Sequence, residues 1–161
     1  MTGWDNFFVG ELGAAAALAG LLFVSVSVNQ ARILELGRMA DRGLEALLML
    51  FLVLAVASLG LVPGQPPRLL GAEIAALALG LLAGLVPLQR TYLRQTDAQH
   101  HAHSAYLARV NQLAIALVAL GGLILARRAD AAGLYVMVPG ILLTFIGAGA
   151  NAWVLLIEIN R

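Results

Sequence analysis

Apolar residues in this chain gather into five long blocks, at about 7–30, 44–62, 69–88, 107–126 and 133–157, separated by polar or Pro/Gly-rich breaks. Each block has about 19 residues or more, the length an α-helix needs to cross a hydrocarbon layer of about 30 Å at 1.5 Å per residue. Short alternating segments of about ten residues, the mark of a membrane β-barrel, are absent from the sequence. The pattern therefore predicts an all-α integral membrane protein: a single transmembrane domain over 1–161, built as a bundle of about five helices. Two breaks are tight, "VPGQPP" (Val62 to Pro67) and "RRADAAG" (Arg127 to Gly133). The other two are longer and polar. The stretch from Arg90 to Val110 contains neither Pro nor Gly, so spans three and four are expected to run on as a helical hairpin.

Arginine placement predicts the orientation, because short basic loops are retained on the cytoplasmic side. With the N-terminus outside, Arg32, Arg38, Arg42, Arg90, Arg94, Arg109 and Arg161 fall inside, and only Arg68, Arg127 and Arg128 fall outside. The expectation is N-out, C-in, in a multi-pass protein of the cell membrane. The opening "MTGWDN" is acidic rather than basic, so the first block reads as a retained span and not as a cleaved signal.

Helical spacing then sorts residues onto faces. On span one, Glu11, Ala15, Leu18, Leu22, Ser25 and Asn29 share a face; on span three, Glu73, Leu77, Gly80, Gly84 and Pro87; on span five, Gly140, Thr144, Gly147, Asn151 and Glu158. Span four has a weaker face at Asn111, Ala114, Val118 and Gly121. Span two offers only Ser58 and Gly60 by this test and is expected at the lipid-facing periphery. Helices in lipid associate through close backbone approach and interhelical hydrogen bonds. Gly80, Gly84, Gly140 and Gly147 are accordingly the helix-packing candidates, within the chain or between copies in a homo-oligomer.

Composition supports the class: 61% of residues are hydrophobic, 12% are charged, and the mean hydropathy is +0.89. The ten basic residues are all arginine and the net charge is +1, which gives no indication of nucleic acid and, with the abundance of Ala, Gly and Leu, fits a GC-rich bacterial or archaeal genome. Cysteine is absent, which removes disulfides and thiolate chemistry. HExxH, GxSxG and P-loop motifs are missing, as is a pair of intramembrane aspartates, so no enzyme and no cofactor is expected.

Candidate chemistry rests on charge inside the spans, since ionisable groups at that depth usually face a bundle interior or a water path. Glu11 and Glu73 each lie about four residues inside the outer boundary, roughly 6 Å deep, and are expected to share a layer. Ser25, Asn29, Asn111, Thr144 and Asn151 complete a list of ion-path candidates. His100, His101 and His103 form a weak metal candidate, because on a helix His101 points about 100° away from the other two. Pro87 and Pro139-Gly140 are positions where spans can kink. The expected function is a homo-oligomeric channel or simple carrier for a small ion, a cation or proton, lined by span one. The alternative is a non-transporting membrane subunit or regulator that binds another membrane protein through its small-residue faces.

Overall fold

Five α-helices follow one another: α1 Asp5–Val28, α2 Gly37–Gly60, α3 Pro67–Arg94, α4 Ala98–Arg128 and α5 Ala132–Ile159. The computed structural model describes residues 3–28, 37–96 and 98–159, with side chains described for 3–28, 40–96, 99 and 101–153. All five helices are long and apolar enough to cross a membrane, and no strand occurs among the described residues. The helices outrun the apolar blocks. α2 begins at Gly37 rather than near Leu44, and α3 and α4 continue to Arg94 and from Ala98, separated by a short turn. Hydropathy marks the part of a helix that crosses hydrocarbon, whereas Arg, Gln, Met and Ala sustain the same helix into water.

The breaks close as local chemistry requires. Gly64 takes φ +70°, a left-handed conformation that glycine adopts without strain. Pro67 then opens α3, where a missing N–H costs nothing. At the α4–α5 turn, Asp130 Oδ1 accepts the Ala132 N–H at 3.0 Å and caps α5. After α3, the Thr96 hydroxyl donates to the Tyr92 carbonyl at 2.8 Å, satisfying one of the carbonyls the helix end leaves open.

α3, α4 and α5 pack consecutively, and α4 is held from both sides by adjacent glycines. A Cβ on Gly122 would lie 2.7 Å from the Ala75 amide nitrogen and 2.9 Å from the Gly71 carbonyl oxygen. A Cβ on Gly121 would lie 2.6 Å from the Gly133 carbonyl oxygen. Successive residues on a helix point about 100° apart, so one glycine admits α3 and the other α5. Gly140 and Gly147 also lie in close contacts with α4. By contrast, Gly80 and Gly84 have no neighbour within 4 Å of an added Cβ, so this part of the expected packing face points away from the described bundle.

α2 crosses the open side of this three-helix layer, touching α5, α3 and α1. It is the most enclosed of the five, with Ala46, Met49, Leu50, Val53, Val56 and Ala57 all buried. The expectation of a peripheral span two is therefore corrected: its interior face is made of ordinary aliphatic residues, which a search for small or polar residues passes over. α1 holds the periphery instead. It rests on α2, with Phe8 seated against Gly60 and the Trp4 ring 5.0 Å from Tyr135 in an edge contact.

Substituting Gly122 by Val should destabilise the bundle by about 1–3 kcal/mol, because the intruding atoms meet backbone. Gly84→Ala should be neutral or stabilising by up to about 1 kcal/mol. Unfolding of the purified variants in detergent measures both; equal behaviour would refute this assignment of the packing glycines.

Candidate functional site

The principal polar cluster of the described bundle joins α2, α3 and α4 at the end where Arg42, Arg90, Arg94 and Arg109 lie. Its centre is Glu45, with 0% of its surface exposed. Glu45 Oε1 accepts hydrogen bonds from Gln89 Nε2 and Asn111 Nδ2, both at 2.7 Å, and Oε2 accepts the Tyr92 hydroxyl at 2.9 Å. Gln112 Nε2 donates to Gln89 Oε1 at 2.6 Å and extends the network along α4.

Each helix supplies its part by spacing. Gln89 and Tyr92 are three residues apart on α3 and therefore share a face. Asn111 and Gln112 are neighbours on α4, so Asn111 reaches Glu45 directly while Gln112 acts through Gln89. On α2, Arg42, Glu45 and Met49 lie on one face, at i, i+3 and i+7. The Arg42 guanidinium carbon stands 5.7 Å from the centroid of the Tyr92 ring, a cation–π arrangement that places a positive charge on one face of the ring whose hydroxyl holds Glu45. Arg42 itself is 7% exposed.

Moving a carboxylate out of water costs several kcal/mol even after relaxation. A hydrogen bond to a charged group returns about 1.5–3 kcal/mol, so three of them are of the size needed to offset that cost. All three donors bonded to Glu45 are neutral. The site is thus a carboxylate presented with N–H and O–H groups, without a directly bonded cation among the described residues.

A second polar strip adjoins it. Asn111 Oδ1 lies against Gly147 of α5, at the place a β-carbon would occupy. Asn151 is one turn further along α5 and buried, and Thr144 donates to the Gly140 carbonyl at 2.9 Å. Asn111, Thr144 and Asn151 from the expected ion-path residues therefore come together on facing sides of α4 and α5.

The remaining candidates do not join them. Glu73 accepts a hydrogen bond from Gln65 near the start of α3. Glu11 is half-buried on α1, and no hydrogen bond joins it to Glu73 among the described residues. Ser25 donates to the Leu21 carbonyl on its own helix, at 2.9 Å. Asn29 and the side chain of His100 lie outside the described residues; His101 and His103 are exposed, and no cluster of three metal-binding side chains occurs among the described residues.

Sequence patterning does not single out Glu45, Gln89, Tyr92 and Arg42, because the apolar block begins at Leu44, which puts Glu45 at a water boundary, and because Gln89 and Tyr92 fall in a polar connection. The available signal was the spacing Arg42, Glu45, Met49 continued backwards from the apolar block. No protein-family model, curated protein or solved structure matches the chain.

Tyr92→Phe should destabilise the protein by about 1–3 kcal/mol, the cost of leaving a buried charged oxygen short of a donor. The same change made on Glu45→Gln should cost measurably less. A double-mutant cycle on detergent unfolding tests this coupling; strict additivity would mean that the Tyr92–Glu45 bond contributes nothing.

Proposed function

We propose that the protein is a small-ion carrier that moves protons, with Glu45 as the proton-binding group. The observation that carries this reading is the fully buried carboxylate held by three neutral donors inside a bundle of membrane-spanning length. Intramembrane carboxylates of this kind serve as proton or ion sites by default. The donor set favours a proton over a dehydrated metal cation. Gln89 and Asn111 turn N–H groups toward Glu45, whereas a metal ion needs oxygen atoms there. A phenol hydroxyl can both donate and accept. A proton arriving on Oε2 is therefore accommodated by rotation of the Tyr92 O–H, with no helix displaced.

Carriage, rather than a standing channel, fits the rest of the interior. Beyond the cluster, the core between α2, α3, α4 and α5 is filled by residues such as Val53, Val56, Ile74, Val118, Met137 and Ile141. A proton that reaches Glu45 from the arginine-rich end must wait for these helices to shift before it leaves on the other side. Pro87, two residues before Gln89, and Pro139 interrupt the helical ladders of α3 and α5 and supply places for such a shift.

A different observation favours a second reading, a non-transporting subunit. Gly10, Gly13 and Gly20 on α1 and Gly80 and Gly84 on α3 present backbone with no neighbour in the described chain, the surface another membrane helix or another copy could approach closely.

Purified protein in liposomes under an imposed pH gradient separates the two. The carrier should collapse the gradient, Glu45→Gln should reduce collapse to the rate of protein-free liposomes, and Glu11→Gln with Glu73→Gln should leave it unchanged. Folded wild type that passes no protons, or Glu45→Gln that passes them at the wild-type rate, would refute the carrier reading.

A further inference from the structure

We propose that Arg42 is the core of a binding site for a phosphate oxyanion at the arginine-rich end of the bundle. Arg42 is more than nine-tenths buried, and the Nε and Nη2 atoms of its guanidinium are buried without a hydrogen-bond partner among the described residues. These two atoms are not an arbitrary pair. Nε–H and one Nη2–H point the same way along one edge of the guanidinium plane, the edge that grips two oxygens of a carboxylate or phosphate at once. The guanidinium carbon stands 5.7 Å from the centroid of the Tyr92 ring, a cation–π contact that holds the group beside that ring.

Neither carboxylate near it on α2 meets this edge. Asp41 and Glu45 form no ion pair with Arg42, and both Glu45 oxygens are engaged by Gln89, Asn111 and Tyr92. A buried guanidinium with two unsatisfied donors is costly, because each donor has given up water without gaining a partner. An oxyanion of two-pronged geometry removes that cost, which is the thermodynamic basis for affinity.

Phosphate is favoured by place and field. Arg42 lies in the first two turns of α2, where a helix leaves the hydrocarbon for the headgroup layer. Exposed Arg90, Arg94 and Arg109 on α3 and α4 raise the local positive potential at the same end. The phosphate can be carried by a lipid headgroup or be free in solution; the chemistry at the edge is the same. This site does not depend on proton carriage by Glu45.

Thermal unfolding of the full chain in maltoside micelles tests the proposal, with inorganic phosphate, phosphatidic acid, and phosphate-free diacylglycerol as the three additions. Wild type should be stabilised by phosphatidic acid, by inorganic phosphate or by both, and not by diacylglycerol; the active source identifies the ligand. Arg42→Gln should abolish the response, and Arg42→Lys, which keeps the charge but loses the two-donor edge, should weaken apparent affinity about tenfold or more. Arg90→Gln with Arg94→Gln should keep the response and weaken apparent affinity by less than Arg42→Lys does. Lack of any wild-type response, or an Arg42→Gln response equal to wild type, overturns the site. If Arg42→Gln does not fold, wild-type affinity in Arg42→Lys overturns it instead.

Discussion

Backbone contact between α4 and its two neighbours is the constraint on which the other positions depend. Where the surroundings are as apolar as the side chains, burying a leucine against another helix gains little over leaving it in lipid. Dispersion and weak polar contacts at short range must then supply association, and both need helices that approach closely. Gly122 against Gly71, and Gly121 against Gly133, provide that approach on two sides of one helix. With α3, α4 and α5 fixed in this way, Asn111 and Gln112 face Gln89 and Tyr92 across a defined gap, and the space on that side is what α2 fills.

Glu45 enters this frame as both a stabilising and a demanding element. Its carboxylate draws donors from two other helices, so it ties α2 to the layer by interactions that are directional as well as close. The same burial makes the protein intolerant of partial satisfaction, since a polar network in low dielectric is strong only when complete. Arg42 is the exception within the cluster, a charged group beside an aromatic ring with two buried donors that have no hydrogen-bond partner among the described residues. Arg42 over the Tyr92 ring and Glu45 at its hydroxyl bring opposite charges to one phenol.

The spans were legible in the sequence because hydropathy over about 20 residues reports directly on the cost of crossing lipid. The helical hairpin was legible from the lack of Pro and Gly between Arg90 and Val110. Asn111, Thr144 and Asn151 were found because polar residues inside apolar blocks stand out. Glu45 was not, since a charge at the edge of an apolar block looks like its boundary, and nothing in one sequence says that α2 begins at Gly37. Glycine partners were only half legible: a GxxxG pair such as Gly80/Gly84 shows that backbone is available for contact, and the helix that takes up the offer is decided by tertiary packing. Gly121-Gly122, which lacks that spacing, makes the contacts instead.

The position of Glu45 has a consequence for how the chain is made. Synthesis runs from the N-terminus, so Glu45 is joined to the chain before Gln89, Tyr92 and Asn111 are there to hold it. Glu45 lies eight residues from the start of α2, about 12 Å along the helix. Its three hydrogen bonds can form only once α3 and α4 have been made. The order of the residues along the chain therefore makes the settling of α2 a late event of assembly, completed by helices that are synthesised after it.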